Sequence, residues 1–187
     1  MPIHSRGRIV MLRVPICLLL LGLGACRDAA DDNGLALLGF FEKTCARRPA
    51  LPTTLQHLAK GAGFASEYGD VTPDMESGDK LDLLYFAERV QDAAAFKLNA
   101  YFSGSRDAAL VICTIATVGV NGRDLAPAIE AAEKVASPAT ENSNDGAFGA
   151  LKWAIGAAGE DDWLELRFRR DEPRRTSLTL SYQIRKP

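Results

Sequence analysis

Histidine is scarce in this chain of 187 residues, which contains only two, His4 and His57. The apolar run near the N-terminus falls well short of the ~20 residues that a membrane-spanning helix needs. The chain has only one histidine after that run, so a zinc site would have almost no ligands. Neither sign of charge dominates, since 22 basic residues stand against 24 acidic ones. The sequence therefore argues against a spanning helix, a zinc site and, through its overall charge, a nucleic-acid partner.

Residues 1–25 combine a basic start with a short apolar run. Arg6, Arg8 and Arg13 precede the apolar residues that begin at Ile16, and no acidic residue occurs in this stretch. A basic start followed by about ten apolar residues is typical of a secretory signal peptide. Met11 is an alternative start, because Arg13 alone would still supply the positive charge.

The segment Leu23-Gly24-Ala25-Cys26 resembles the lipobox of bacterial lipoproteins. The resemblance implies that Cys26 is acylated, becomes the new N-terminus and anchors the protein in a lipid bilayer, where several acyl chains hold more firmly than one. Because Arg27, and not an aspartate, follows Cys26, the resemblance also implies that the protein is anchored in the outer membrane, on the side that faces the periplasm. The alternatives are cleavage between Gly24 and Ala25, which would release a soluble exported protein, or an uncleaved anchor.

Three segments follow from this organisation. Residues 1–25 form the signal peptide, residues 26–34 contain the lipidated cysteine and a short tether, and residues 35–187 are long enough for a single domain with one core. Apolar residues at helical spacing predict a first helix from about Asn33 to Arg47. A second helix is expected from Leu55 to Ala62, ending before Gly63.

Strand patterns dominate the second half of the chain. The segment 108–120 is apolar on both faces and rich in β-branched residues, as a central strand is. The segments 163–169 and 178–184 alternate cleanly around a turn, which predicts a C-terminal β-hairpin. The segment 81–90 fits a helix or a strand, and residues 137–149 read as a loop. The fold expected is α+β, an antiparallel sheet with helices packed on one face.

Four cysteines occur, and two of them, Cys17 and Cys26, belong to the N-terminal segment. Cys45 and Cys113 remain as a pair in an oxidising compartment, so we predict a disulfide bond between them. Such a bond, closing a long loop, adds ~4 kcal/mol of stability in the chain-entropy model. The alternative is a thiol enzyme with Cys45 as nucleophile and His57 as its base.

Two acidic segments suggest further chemistry. Glu160, Asp161 and Asp162 stand together and would suit an acid and base for glycoside cleavage, or simply a solvated turn. The segment 141–146 partly matches a calcium loop, but Lys152 occupies the position that requires a bidentate glutamate. We therefore expect no metal, no cofactor and no enzymatic activity.

The C-terminal hairpin is a basic feature on an acidic body. From Trp163 onward the net charge is about +4, whereas residues 26–162 carry about −9. Clustered guanidinium groups bind phosphate or carboxylate bidentately, although exposed strands also carry arginine simply to stay soluble. The candidate residues for binding an anionic envelope component or a protein partner are Arg167, Arg169, Arg170, Arg174, Arg175 and Arg185.

These observations together predict a membrane-anchored lipoprotein of the bacterial cell envelope with a non-catalytic role in binding or assembly. The alternatives are an envelope hydrolase that uses the acidic residues, and a soluble periplasmic inhibitor or immunity-type protein. Around Phe41–Cys45 and Gly63–Phe64 the chain also resembles small uncharacterised bacterial envelope proteins, a resemblance that implies no function.

Overall fold

The structure is a computed structural model, and it describes residues 29–71, 81–105, 108–133, 140–145, 148–155, 162–169, 171 and 174–185. The helices are α1 (Ala29–Lys43), α2 (Pro52–Gly61) and α3 (Ala126–Glu133), with short 3-10 turns at Cys45–Arg47 and Gly122–Leu125. The strands are β1 (Ala65–Ser66), β2 (Leu81–Gln91), β3 (Ala94–Gly104), β4 (Ala108–Val118), β5 (Thr140–Asp145), β6 (Phe148–Ala154), β7 (Trp163–Arg169) and β8 (Arg175–Arg185).

Helix α1 begins at Ala29, within the segment that the sequence assigned to the tether. Its buried side chains are Leu37, Phe40 and Phe41, which recur at helical spacing. The Thr44 hydroxyl donates a hydrogen bond to the Phe40 carbonyl at 2.7 Å, just after the helix ends. Helix α2 begins with Pro52, whose fixed φ suits the first turn.

All eight strands belong to one sheet in the order β1-β2-β3-β4-β8-β7-β6-β5, and every neighbouring pair whose register is described is antiparallel. The predicted combination of helices with an antiparallel sheet is confirmed. Strand β8 lies between β4 and β7, so the C-terminal strand is central. The predicted hairpin is confirmed as β7 and β8, whose register runs from Trp163 opposite Ser181 to Phe168 opposite Thr176.

The structure decides one open segment and corrects another. Residues 81–90, which fitted either a helix or a strand, belong to strand β2 (Leu81–Gln91), and the turn at Asp92 and Ala93 has φ values of 49° and 65°. Two successive left-handed residues make the tight turn that matches the twist of a hairpin. The expected loop at 137–149 contains β5 and the start of β6, because β6 pairs with β7 and the polar strand β5 then pairs with β6.

Side chains alternate across the sheet and define two faces. One row on the buried face runs through Leu98, Ile115, Leu178 and Leu166, which occupy register positions on β3, β4, β8 and β7. All four are almost completely buried. The alternate residues define the outer face. Leu83, Tyr85, Phe96 and Phe168 extend the buried face toward its edges.

The predicted disulfide is confirmed, since Cys45 and Cys113 are bonded with a Cα–Cα distance of 5.5 Å. Cys113 lies on the buried face in register with Ala100 and Leu180. The bond therefore ties the 3-10 turn after α1 to the middle of the sheet. Among the described residues, no helix is long and apolar enough to cross a membrane.

Candidate functional site

The basic residues of the C-terminal hairpin meet a lysine from another strand on the outer face. One outer-face row runs through Lys97, Ala116, Ser177 and Arg167, which are register partners across β3, β4, β8 and β7. In the adjacent row, Val118 is opposite Arg175 on β4 and β8. Three strands thus bring cationic side chains to one part of the sheet.

A cleft of about 510 Å³ lies over these rows. Its volume falls within the range of small-molecule sites, roughly 300–1,000 Å³. Small side chains at Ala95 and Ala116 leave room above the strands. The basic residues that line the cleft are Lys97, Arg167, Arg169 and Arg175.

Two of the arginines in the cleft are held by carboxylates. The Arg167 Nε lies 3.0 Å from Glu165 Oε2, although 67% of the Arg167 side chain is exposed. Arg169 donates two hydrogen bonds to Asp171, at 2.6 Å from Nε and 3.0 Å from Nη2. The hydrogen bond from Arg169 lowers the pKa of Asp171, so that carboxylate stays ionised at neutral pH.

The structure brings together some of the predicted arginines and separates others. Arg167, Arg169 and Arg175 line the cleft. Arg174 is exposed beside them, and its carbonyl accepts a hydrogen bond from the Gly119 amide at 2.8 Å. Arg185 lies at the opposite end of β8, in register with Ala108 and ~33 Å from Arg175 along the strand. Arg170 lies outside the described residues.

Lys97 is the member of the cleft that the sequence alone did not identify. It is a single cation on β3 between Phe96 and Leu98, which both lie on the buried face. Alternation places Lys97 on the outer face, but only the strand order places it near the hairpin. The alternation of apolar residues along β3 therefore indicated the face of Lys97, but it did not indicate which strands lie beside β3.

Asp162, from the acidic segment that was considered for hydrolysis, has hydrogen-bond partners that give it a structural role. Its carboxylate is buried and accepts a hydrogen bond from Arg48 Nη1 at 3.2 Å and another from the Gln183 amide at 3.0 Å. Both carboxylate oxygens therefore have partners that hold β7 and β8 in place. Glu160 and Asp161 lie outside the described residues.

The thiol chemistry considered for Cys45 needs a free sulfur atom. Cys45 is bonded to Cys113 and is fully buried, so it presents no thiolate to His57. His57 is exposed on α2 and lines a shallow groove with Lys43 and Arg47. Among the described residues, no group of three histidine, cysteine, aspartate or glutamate side chains is placed to hold a metal ion.

The fold and the site define an α+β domain with a basic cleft on one face of an antiparallel sheet. Such a cleft can bind anionic groups through guanidinium and ammonium donors. Comparison with protein-family models, with curated proteins and with solved structures finds no match for this chain.

Proposed function

We propose that this protein is a lipid-anchored component of the bacterial envelope that binds anionic molecules in the basic cleft, without catalysis. The observation that carries the binding role is the convergence of Lys97, Arg167, Arg169 and Arg175 on one cleft of about 510 Å³. The whole chain has a formal net charge of −2. A local cationic site on an acidic protein favours specific over diffuse anion binding.

The anchoring half of the proposal rests on the lipobox-like segment at Leu23–Cys26, which lies outside the described residues. Helix α1 begins at Ala29, so three peptide units separate it from Cys26. Three units reach about 10 Å when extended, which would hold the domain against the membrane surface. Confinement there raises the effective concentration of envelope ligands, so a weak interaction suffices. We place the protein in the outer membrane, facing the periplasm.

Helix packing on a single face of the sheet is part of the same proposal, because it leaves the opposite face to the ligand. Three contacts support it. Phe40 of α1 meets Phe96 edge-on, with ring centroids 5.0 Å apart. Cys45 is bonded to Cys113. The Trp153 indole donates to Glu130 of α3 at 3.1 Å.

The anchor is tested by cell fractionation and by mass spectrometry of the N-terminal peptide. We expect native protein in the membrane fraction with acyl chains on Cys26, and Cys26→Ser to abolish the acylation. Cys17→Ser is the matched control, because it changes a cysteine in the same segment and leaves the lipobox intact. An unmodified chain that begins at Ala25 would refute the anchor.

The cleft is tested by binding to phosphocellulose, using the full chain in a non-ionic detergent. Wild-type protein is expected to elute at a higher salt concentration than a variant with Lys97→Gln, Arg167→Gln and Arg175→Gln. The control replaces Lys43, Arg47 and Lys60 by glutamine, which removes equal charge from exposed helical positions. Equal elution of the two variants would show that net charge and not the cleft binds the anion.

A further inference from the structure

The start of helix α1 shows which end of the sheet lies nearest to the proposed lipid anchor. Gly34 packs against the segment that follows β4, because a methyl group there would lie 2.8 Å from Leu125 Cδ2 and 3.6 Å from Val120 Cγ1. Farther along the chain, Cys45 is bonded to Cys113 in the middle of β4. Helix α1 therefore runs antiparallel to β4, and its first residues lie at the end of the sheet where β4 ends and β8 begins.

The cleft lies at the same end of the sheet. Val118 ends β4, Arg175 begins β8, and both residues line the cleft. The chain between Cys26 and α1 reaches only about 10 Å, so the anchor holds this end of the domain at the lipid surface. The other end of β4, at Ala108, lies ~34 Å farther away along the strand. A lipid headgroup of the same membrane is therefore the anionic group nearest to the cleft.

Carboxylates balance several of the cations at the cleft. Three of these cations have acidic neighbours: Arg167 pairs with Glu165, Arg169 pairs with Asp171, and Lys97 lies opposite Glu88 in register. Arg175 lies opposite Val118, and within the described part of the chain no carboxylate is at ion-pair distance from it. One cation thus remains in excess. It matches the single negative charge of a phosphodiester better than the roughly −1.5 to −2 charges of a phosphate monoester.

This end of the sheet as a whole is not strongly basic. Its other described acidic residues belong to α1, to turns and to the edge strand: Asp31, Asp32, Asp92, Asp124 and Asp145. These carboxylates offset the arginines, so diffuse attraction to an anionic surface is weak here. Recognition then depends on the cleft, where Arg175 and the hydroxyl of Ser177 lie two residues apart on the same face of β8.

The outer-face row at this end carries exposed apolar side chains on both sides of its arginines. In strand order the row consists of Val90, Ala95, Val118, Arg175, Arg169 and Phe148. Val90 is 69% exposed, and Val118 and Phe148 are each 49% exposed. The Arg169 guanidinium carbon lies 5.6 Å from the centroid of the Phe148 ring. Separate apolar side chains beside arginines suit the boundary between lipid headgroups and acyl chains.

We propose that the cleft binds the phosphodiester headgroup of an anionic phospholipid in the membrane to which Cys26 is anchored. Arg175 and the Ser177 hydroxyl contact the phosphate, and the exposed apolar side chains of the row contact the lipid surface. This inference rests on the proposed function and names its ligand. It also fixes the orientation of the domain, with Val118 toward the membrane and Leu110, on the same strand, away from it.

Fluorescence quenching on vesicles tests this orientation with two labels on one strand. The natively processed full chain is reconstituted in vesicles of equal parts phosphatidylglycerol and phosphatidylcholine, with bimane attached at Val118→Cys or at Leu110→Cys. Both positions are exposed on the outer face of β4. Because ~27 Å separates them along the strand, we expect a nitroxide on the lipid headgroups to quench the label at position 118 at least about threefold more than the label at position 110.

Lipid composition and one arginine variant test the headgroup. In vesicles of phosphatidylcholine alone, which carry no net charge, quenching at position 118 should fall toward that at position 110. Arg175→Gln should lower it to the same level in the anionic vesicles. Arg47→Gln is the charge-matched control, since Arg47 is exposed just after the other end of α1, and it should leave the quenching unchanged. Circular dichroism and melting temperature check that both variants fold.

The outcomes distinguish this inference from the proposed function. Equal quenching at positions 110 and 118, in protein that floats with the vesicles, would overturn the orientation and leave the anchor intact. Unequal quenching that is the same for wild type and Arg175→Gln in both lipids would mean that the anchor alone orients the domain, and it would overturn the assignment of a headgroup to the cleft. Protein that does not float with the vesicles would refute the anchor of the proposed function, and this inference with it.

Discussion

The Tyr182 hydroxyl lies in the protein interior and donates a hydrogen bond to the Pro49 carbonyl at 2.7 Å. Burial, the largest cause, raises the pKa of Tyr182 well above its ordinary range. Burial first, and then the nearby charge of Asp70, also raises the pKa of Tyr85. In the unfolded chain both tyrosines ionise near pH 10. As the pH rises past about 10, the unfolded state therefore loses protons first, and the folded state loses stability.

Tyr182→Phe separates the hydrogen bond from this pH effect. We expect a loss of ~1 kcal/mol in the free energy of unfolding at about pH 8, because the Pro49 carbonyl loses its donor. Between about pH 9 and pH 11 the variant should lose less further stability than the wild type. Guanidinium denaturation across that range measures both, and Tyr68→Phe, at a side chain 81% exposed, is the control. Parallel pH profiles for wild type and Tyr182→Phe would contradict the assignment.

Asp162 offers a second residue-scale prediction, because its carboxylate accepts from Arg48 and from the Gln183 amide. Asp162→Asn removes the negative charge and substitutes an amide that cannot accept both hydrogen bonds. We expect a loss of about 1–3 kcal/mol, moderated because the Arg48 side chain is 45% exposed. Asp70→Asn, in an exposed pair with Lys60, should change stability by less than about 1 kcal/mol.

Chemical denaturation of the two aspartate variants measures the difference, and phosphocellulose elution checks that the cleft is unaffected. If Asp162→Asn left stability unchanged but abolished an envelope hydrolase activity, the residue would be catalytic rather than structural. Stability loss with unchanged anion binding is the result that its hydrogen bonds predict.

At the scale of elements, the Cys45–Cys113 bond joins the end of α1 to the centre of the sheet. Cys45→Ala with Cys113→Ala should lower the free energy of unfolding by ~4 kcal/mol, because the unfolded chain is no longer closed into a long loop. Melting temperature with and without dithiothreitol measures the effect. The reductant should destabilise the wild type and leave the double variant unchanged. An equal response of both proteins would mean that the bond is absent in solution.

Two glycines in different elements have opposite expected effects. A methyl group at Gly122 would lie 2.6 Å from Phe168 Cβ and 2.9 Å from Thr176 Cγ2, so the 3-10 turn could not approach the sheet. Gly122→Ala should cost about 1–3 kcal/mol. At Gly39, inside α1, no atom lies within 4 Å of such a methyl group. Gly39→Ala should therefore stabilise by about 0.5–1 kcal/mol. Thermal melting of both variants measures the contrast, and equal shifts would contradict it.

Helices and strands in which apolar residues recur at a regular spacing could be predicted from the sequence, and those without such a spacing could not. Strands β4, β7 and β8 were predicted because apolar residues alternate or run continuously there. Strand β5 reads Thr-Glu-Asn-Ser-Asn-Asp, a polar composition typical of loops, and only its pairing with β6 makes it a strand. The first helix was predicted from apolar residues at helical spacing, but the spacing did not show which of them are buried: Leu37 and Phe40 are buried, whereas Leu35 is 58% exposed.

The candidate site shows the same division. Arg167 and Arg169 could be assigned to one face of a predicted strand by alternation alone. Lys97 could not be added, because its strand is remote in sequence and joins the hairpin only through β4. Phe148, which also lines the cleft, belongs to β6, a strand that the sequence did not predict. Residue type thus indicated the chemistry, whereas long-range pairing determined which residues share the cleft.

At the scale of the whole molecule, β8 joins the two halves of the sheet, since it pairs with β4 on one side and β7 on the other. Neither half can close its buried face without this strand, so we expect unfolding in a single cooperative transition. Both tryptophans of the chain, Trp153 and Trp163, lie on β6 and β7. Their fluorescence therefore reports one half, while far-ultraviolet circular dichroism reports the whole.

The two signals should give the same midpoint in guanidinium chloride, because loss of β8 exposes both halves together. Removal of residues from Arg175 onward should leave a chain without a cooperative transition, although β1 to β4 remain intact in sequence. A tryptophan transition that precedes the circular dichroism transition would mean that β2, β3 and β4 hold together with α1 without the other half of the sheet. The cleft would then be lost before the fold, since Arg167 lies on β7 in the half that unfolds first.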